Sequence, residues 1–169
     1  HLRRLEKALK EVWDVEVAGV DAHVLRKLHK TLEDGGYKAT VMVRRGKRLI
    51  DIRPGFHDKV YGLAVDVGST TIAMHLCDLL TGEVLASAGR MNPQIRFGED
   101  LMSRVSYVMM NPGGEEELTG TVRSALNDLI DDLTDQRDHI HDLVLVGNPV
   151  MHHLFLGIDP TPLGAAPFT

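Results

Sequence analysis

The chain has 169 residues, 43% of them hydrophobic, and a formal net charge of −5 at pH 7. This acidic balance argues against a general nucleic-acid-binding protein, and no apolar run reaches the roughly 18 residues of a membrane-spanning helix. The single cysteine, Cys77, excludes an internal disulfide framework and a four-thiolate iron–sulfur site within this sequence. No signal peptide is recognisable, so we expect a cytoplasmic protein without membrane or nucleic-acid partners.

The sequence is interpreted as two domains within a piece of a longer protein. It begins at His1 without a methionine and ends in Ala166-Pro167-Phe168-Thr169. We assign residues 1–58 to a small α/β middle module that docks or acts as a spacer, and residues 59–169 to a second, incomplete domain. The polar run His57-Asp58-Lys59 is the expected linker.

The first predicted domain contains two helices followed by two strands. Apolar residues recur at helical spacing from Leu2 to Val12, which predicts an amphipathic helix. Asp21 is placed to cap a second helix, which Gly35-Gly36 ends. Alternating residues from Tyr37 to Arg44 and from Lys47 to Arg53 predict two strands.

A cluster of bases occupies the tip of this strand pair. The four bases are Arg44, Arg45, Lys47 and Arg48. We interpret them as a solvated turn that protects a sheet edge, and docking to an acidic partner is the alternative.

The second predicted domain opens with two apolar strands joined by a tight turn. The first strand runs into Asp66 and the second begins near Thr71. Gly68 has no side chain, so its backbone can approach an anion closely, and successive turn N–H groups form a nest for phosphate oxygens. The hydroxyls of Ser69, Thr70 and Thr71 add donors, and Asp66 is placed to hold a hydrated Mg²⁺. The alternative is an ordinary β-hairpin in which Gly68 supplies a positive φ.

The following segments predict a third strand and two helices. Residues Val84 to Arg90 complete a three-stranded antiparallel meander. A helix is predicted around Leu101 to Met109, and its methionines are interpreted as core filling. A longer helix has its apolar stripe from Leu118 to Leu133. We expect the acids interleaved with that stripe to form a solvated face; they are Asp128, Asp131, Asp132 and Asp135.

A last strand and helix supply a second candidate anion site. Leu143 to Val146 have the length and branching of a fully buried strand. The strand leads into Gly147, Asn148 and Pro149, where Asn148 suits the cap and Pro149 the first turn of a helix. Gly147 and Asn148 are thereby delivered to a helix N-terminus, which favours anion binding.

Two histidine pairs flank this strand, and we interpret neither as a metal site. They are His139 with His141 and His152 with His153. A zinc site needs three or four convergent ligands, which these pairs do not supply. The proline-rich segment from Asp159 to Pro167 is expected to be extended.

The order β-β-β-α-α-β-α, with an Asp-x-Gly-Ser/Thr turn between the first two strands, resembles the first lobe of the actin, sugar-kinase and heat-shock-chaperone ATPase superfamily. The fold class that this resemblance implies is α/β. It consists of the α+β middle module and a ribonuclease-H-like, actin-like ATPase subdomain whose mixed sheet begins with the meander. No second Asp-x-Gly-Ser/Thr turn occurs in the sequence, so the resemblance implies half of a nucleotide site.

Several motifs more closely resemble the reductive activators of corrinoid proteins, and together they cover nearly the whole sequence. They are Tyr61 to Thr71, Asn92-Pro93-Gln94, Phe97-Gly98-x-Asp100-x-x-Ser103-Arg104, Gly147-Asn148-x-x-Met151 to Gly157, Asp159-Pro160 and, for the middle module, Val24 to Leu28. One departure is Pro149-Val150, where that family more often has hydroxyl residues after the asparagine.

The resemblance implies an ATP-hydrolysing reductive activator. In that family an N-terminal [2Fe-2S] ferredoxin domain passes one electron to an inactive Co(II) corrinoid, and ATP drives formation of the Co(I) state used in methyl transfer. The implied cofactors are ATP and Mg²⁺ here, with the cluster upstream of His1. The implied partners are a corrinoid protein or corrinoid-dependent methyltransferase, an electron donor and, as an option, a second copy of the chain.

Roles for individual residues follow from the same resemblance. Asp66 would bind Mg²⁺ or its water, and the turn from Gly68 to Thr71 would cradle the β- and γ-phosphates. Asn148, with the Gly147 backbone, would orient the attacking water or a phosphate. Asp66 and Asn148 are therefore the catalytic candidates.

Asp100 and Arg104 are weaker candidates, placed on the cleft side of the first helix of this domain. The alternative for Asp100 is a helix-start acid stabilised by the helix dipole. The alternative for Arg104 is a surface base.

Two other function classes stay open for the sequence. A lobe of an acetate- or sugar-kinase-type phosphotransferase would share the turn, and the gene would then lack an upstream cysteine-rich segment. The stretch would otherwise be a pure interaction or dimerisation module. In the activator interpretation we expect the isolated fragment to be inactive, because the opposing lobe is absent.

Overall fold

The computed structural model describes residues 1–166, which form a mixed α/β structure with two mixed sheets. The chain divides into two compact units, one formed by residues 1–59 and one beginning at Val60. Within residues 1–166, no helix is long and apolar enough to cross a membrane.

The first unit contains both predicted helices and the predicted strand pair. Its elements are α1 (Leu2–Trp13), β1 (Gly19–Val20), α2 (Ala22–Asp34), β2 (Ala39–Arg44) and β3 (Arg48–Pro54). β3 lies in the centre of the sheet, parallel to β1 and antiparallel to β2. Apolar residues of α2 pack on β3 to form the core, which contains Val24, Leu28, Leu32, Leu49 and Ile52.

The hairpin tip and the start of α2 are joined by an ion pair. Asp21 precedes α2 as predicted, but its carboxylate makes no capping hydrogen bond and instead accepts one from Arg48 Nε at 2.6 Å. Arg45 and Gly46 both have positive φ values, of 51° and 66°, and form the turn. One of the four clustered bases therefore contributes to the packing of its own unit.

The second unit begins with the predicted meander. Its elements are β4 (Tyr61–Val67), β5 (Thr71–Asp78), β6 (Val84–Met91), α3 (Leu101–Met110), α4 (Gly114–Leu133), β7 (Ile140–Gly147) and α5 (Pro149–Leu156). The strand order is β6-β5-β4-β7, with β4 antiparallel to β5 and parallel to β7. Short 3-10 turns lie at Pro93–Arg96, Arg137–His139 and Thr161–Gly164.

One face of this sheet carries the core. Alternate residues of β4, including Leu63, Val65 and Val67, are buried, whereas Ala64 and Asp66 are exposed. The buried face packs against apolar residues of α3, α4 and α5, among them Val105, Leu118, Val122, Leu129, Met151 and Leu154. The period of two therefore places Asp66 on the face of the sheet that α3, α4 and α5 do not cover.

The prediction that Leu143 to Val146 form a fully buried strand is wrong. Val144 is 63% exposed and Val146 is 54% exposed. β7 pairs only with β4 among the strands of residues 1–166, so it lies at one edge of the sheet. Burial of such a strand requires cover on both faces, and the described helices cover only one.

The interpretation of the α3 methionines as core filling is also wrong. Met102 is 50% exposed and Met109 is 57% exposed, and the buried positions of this helix are Arg104 and Val105. A charged side chain is therefore buried at a position that the helical pattern did not assign to the core. The buried methionines are Met42, Met74 and Met151.

The four acids assigned to a solvated face, Asp128, Asp131 and Asp132 of α4 and Asp135 after it, are exposed as predicted, and three of them bind arginines. Arg90 donates to Asp128 at 3.0 Å and to Asp132 at 2.6 Å. Asp131 lies 3.1 Å from Arg137. This face of α4 is therefore solvated and partly paired with bases of β6 and of the turn after α4.

Part of the segment from Asp159 to Pro167 departs from the predicted extended conformation. Thr161–Gly164 form a 3-10 turn, which the Asp159 carboxylate stabilises by accepting hydrogen bonds from the Thr161 N–H at 2.9 Å and from its hydroxyl at 2.8 Å. Pro167 lies outside the described residues.

Candidate functional site

The predicted turn joins β4 to β5 at the end of the sheet. Val67 is paired with Ile72, and the Gly68 N–H donates to the Thr71 carbonyl at 3.0 Å. Gly68 does not have a positive φ, so the hairpin alternative is wrong on this point. A Cβ on Gly68 would lie 2.6 Å from the Thr71 carbonyl oxygen. Close backbone approach therefore explains the glycine.

Groups of two buried polar residues bind the carbonyls of Gly68, Ser69 and Thr70. Asn92 Nδ2 donates to the Gly68 carbonyl at 2.8 Å, and the Asn92 backbone N–H donates to the Thr70 carbonyl at 2.7 Å. Arg104 Nη2 donates to the Ser69 carbonyl. Asn92 and Arg104 both have 0% exposure, so the carbonyls point toward the protein interior.

The orientation of these carbonyls fixes the orientation of the amides. In a planar trans peptide the N–H points away from the preceding carbonyl, so the N–H groups of Ser69 and Thr70 point away from the interior. Within residues 1–166, the N–H groups of Ser69 and Thr70 and the three hydroxyls have no protein partner. The turn therefore presents a set of free donors, which is the property of an anion nest.

Asp66 lies beside this turn on the uncovered face of the sheet. It is paired in register with Ala73 of β5 and Val146 of β7. In the described part of the chain, its carboxylate has no hydrogen-bond or ion-pair partner. No three His, Cys, Asp or Glu side chains of residues 1–166 converge to hold a metal ion. A cation at Asp66 would therefore take its other ligands from waters and phosphates, as Mg²⁺ commonly does.

The parallel pairing of β4 and β7 brings the second candidate element to the same end of the sheet. Gly147 is paired with Val67, the residue before the turn. Asn148 follows as the N-cap of α5, and its Oδ1 accepts a hydrogen bond from the Met151 N–H at 3.0 Å. Its Nδ2 has no partner among residues 1–166, so this group is free to donate.

Asp100 and Arg104 have different environments. Asp100 is the exposed N-cap of α3, and its carboxylate accepts a hydrogen bond from the Ser103 N–H at 2.7 Å. That bond and one to the Ser103 side chain hold the pKa of Asp100 below its usual value. Arg104 is completely buried, so the interpretation as a surface base is wrong. Burial lowers the pKa of Arg104, and the charge of Asp100 opposes this effect.

Three residues around Arg104 were not assigned a role from the sequence. Asn92 and Gln94 are fully buried polar residues of the loop after β6, and Met151 lies on α5. The Asn92-Pro93-Gln94 motif was the feature of the sequence that could have pointed to Asn92 and Gln94. Their burial could not be predicted, because loop residues are usually at the surface.

Comparisons with known proteins give a family match for each of the two units. The RACo linker region matches residues 1–59, and the RACo middle region matches residues 61–169. The corrinoid activation enzyme RamQ of Eubacterium limosum is 32% identical over 155 residues, which are 88% of this chain and 26% of that protein.

Solved structures add a close and a remote likeness. A reductive activator for corrinoid, iron-sulfur protein matches with a TM-score of 0.82 and 35% identity, over 99% of this chain and 28% of that chain. A Ppx/GppA family member of Aquifex aeolicus reaches a TM-score of 0.34 at 13% identity, over 62% of this chain and 32% of that chain. The chain spans 26% and 28% of the two corrinoid-related proteins.

Proposed function

Because the chain belongs to the family of reductive activators of corrinoid proteins, we propose that it supplies the phosphate-binding part of an ATP·Mg²⁺ site. The whole protein would reduce an inactive Co(II) corrinoid protein to the Co(I) state. The proposed partners are that corrinoid protein, or a corrinoid-dependent methyltransferase, and an electron donor. A second copy of the chain is a further proposed partner.

One observation carries the nucleotide part of this proposal. Asn92 and Arg104 bind the carbonyls of Gly68, Ser69 and Thr70 from inside, and the turn has its free donors on the other side. Phosphate oxygens are strong acceptors, and a nest of backbone N–H groups with hydroxyls is a known way to bind them. The residues present therefore fit a phosphate group.

Asp66 and Asn148 complete the proposed site from either side of the turn. Asp66 would hold Mg²⁺ directly or through a water. When bound, Mg²⁺ neutralises charge on the phosphates. Asn148 keeps its Oδ1 in the α5 cap, so its Nδ2 is the group that would orient the attacking water or a phosphate oxygen. Gly147 has no side chain, so its backbone can lie close to the Val67 carbonyl, and this contact would bring Asn148 next to the turn.

This sequence does not contain the ligands of an iron–sulfur cluster. A plant-type [2Fe-2S] cluster takes four cysteine thiolates, and Cys77 is the single cysteine here. We therefore assign electron delivery to another part of the protein. The described stretch would contribute nucleotide binding and the conformational change coupled to it.

The comparisons do not favour the kinase-type phosphotransferase or a pure interaction module. The decisive experiment is calorimetric titration of the full-length protein with ATP·Mg²⁺, combined with optical measurement of Co(II) corrinoid reduction with and without ATP. We expect saturable binding and ATP-dependent reduction. Absence of ATP binding would refute the ATP-dependent activator and the kinase alternative together. Binding without any effect on the corrinoid spectrum would refute activation.

A further inference from the structure

We infer that Arg104 is a positioning residue for the phosphate turn. It binds the inner side of the turn, and so keeps the turn amides directed outward without touching the ligand itself. This inference rests on the proposed function, because it assigns a cause to the geometry of the same site. Asp66, Asn148 and the turn hydroxyls face the ligand, whereas Arg104 acts through the Ser69 carbonyl.

The guanidinium of Arg104 connects four separate segments. Nη2 donates to the Ser69 carbonyl in the turn, and Nε donates to the Gly98 carbonyl at 3.0 Å. Nη1 lies 3.2 Å from Gln94 Oε1 and 3.2 Å from the Met151 sulfur on α5. The planar, five-donor geometry of arginine suits such a junction, and lysine cannot reproduce it.

Gln94 connects the residues that bind the turn to helix α4. Its Oε1 accepts from Arg104 and lies 3.4 Å from Asn92 Nδ2, while its Nε2 donates to the Leu118 carbonyl of α4 at 2.9 Å. Asn92 and Arg104, which bind the turn carbonyls, are thus anchored to α4 through one side chain. The turn is therefore held by the core and does not depend on its own exposed residues for its shape.

The charge of Arg104 is not neutralised by a contact in the described part of the chain. No carboxylate of residues 1–166 forms an ion pair with it, and Asp100 acts on it only as a nearby charge. A buried charge without a partner is costly. A phosphate group on the other side of the turn would supply negative charge close to this guanidinium. Arg104 therefore favours an anionic ligand as well as orienting the turn.

The test compares two ligands in the full-length protein. ATP·Mg²⁺ and adenosine are titrated into the wild type, Arg104→Lys and Arg104→Met, with Arg96→Met as the matched control. Arg96 is exposed on the neighbouring 3-10 turn and does not bind the Gly68–Thr71 turn. We expect both Arg104 variants to weaken ATP·Mg²⁺ binding by about tenfold or more, since hydrogen bonds to a charged group are lost.

Adenosine separates positioning from a general loss of structure. It lacks phosphates, so a variant that only lowers the folded fraction weakens both ligands by the same factor, whereas a misplaced turn weakens ATP·Mg²⁺ alone. Equal factors in the Arg104 variants, or wild-type affinity for ATP·Mg²⁺, would overturn the inference while the proposed function stands. A wild type that does not bind ATP·Mg²⁺ would overturn both.

A second variant keeps the inference testable if the Arg104 variants do not fold. Asn92→Ser retains a side-chain oxygen that can accept from the Gln94 N–H, removes the Nδ2 donor to the Gly68 carbonyl and adds no charge. We expect a selective loss of ATP·Mg²⁺ affinity, again with adenosine binding unchanged. Unchanged ATP·Mg²⁺ affinity in this variant would show that inner-side anchoring does not position the turn.

Discussion

Gly147 of β7 lies beside Val67 of β4, so closely that a Cβ on Gly147 would be 2.9 Å from the Val67 carbonyl oxygen. That carbonyl belongs to the residue immediately before the turn. The close approach of the two backbones therefore sets the distance between the turn and the N-terminus of α5.

Gly147→Ala should disturb this junction. The added methyl group would force β7 away from β4, so we expect the free energy of unfolding to fall by about 1–3 kcal/mol. Chemical denaturation measures this loss, and titration should show weaker ATP·Mg²⁺ binding because Asn148 moves with Gly147. A variant as stable as the wild type, with unchanged affinity, would contradict the proposed close packing.

Gly120→Ala is the matched control for that substitution. Gly120 lies in the exposed part of α4, and a Cβ there would meet no atom within 4 Å. Alanine is favoured over glycine in a helix by about 1 kcal/mol, so the control should be slightly more stable than the wild type.

Asp66→Ala should abolish ATP-dependent corrinoid reduction in the full-length protein. The substitution removes the carboxylate proposed to hold Mg²⁺, and affinity for ATP·Mg²⁺ should fall by about tenfold or more. The absorption spectrum of the proposed iron–sulfur cluster should stay unchanged. Asp138→Ala removes an exposed carboxylate near the start of β7, at the other end of the sheet, and serves as the control. Wild-type activation by Asp66→Ala would remove this residue from the mechanism.

Two substitutions of Asn148 should separate its capping role from its proposed catalytic role. Asn148→Ala removes the hydrogen bond to the Met151 N–H and should cost about 1 kcal/mol of stability as well as activity. Asn148→Asp retains a capping oxygen but lacks the Nδ2 donor. We expect it to unfold like the wild type and to show slower ATP-dependent reduction in a single-turnover assay. Full activity in the aspartate variant would limit Asn148 to capping.

The first unit should lose stability in acid through Asp51. Burial of this carboxyl raises its pKa, but hydrogen bonds from Lys27 and the Ile52 N–H, with the charge of Lys27 and a bond from Arg53, outweigh it and leave the pKa below its ordinary value of 3.8. A depressed folded-state pKa contributes stability that is present above pH 3.8 and is lost as the pH falls through the lower folded value.

Asp51→Asn should therefore reduce the pH dependence of unfolding in that acidic range. Denaturation can be followed by the fluorescence of Trp13, the single tryptophan of this sequence. Asp138→Asn is the control, since its carboxylate is exposed. If the Asp51 variant unfolds in acid with the same pH dependence as the wild type, the interactions of Asp51 with Lys27 and Arg53 do not contribute to the acid stability of this unit.

Periodicity was sufficient to predict most of the fold. The alternation around Asp66 and the glycine turn predicted the β4–β5 hairpin, and apolar spacing predicted α4. Asn148-Pro149 predicted the start of α5 because the preferences for a helix cap and a first turn are local. These features depend on neighbouring residues, so a single sequence contains them.

Features set by distant contacts were not predictable in this way. Arg104 reads as a surface residue of a helix, yet it is buried by the turn 35 residues earlier and by Met151, 47 residues later. The local sequence predicts Val144 as a core residue. It lies instead on β7, an edge strand that pairs with β4 alone among the described strands. Both outcomes depend on which elements cover a position, and local sequence patterns do not encode that.

The position of β7 at the edge of the sheet has a practical consequence for work with this stretch of chain. An exposed, apolar edge strand is a template for adding another strand. A sample of residues 1–169 alone should therefore self-associate as its concentration rises, and light scattering should detect it. Replacing Val144 by lysine would keep such a sample dispersed, since a charged side chain at that edge opposes the docking of a second copy.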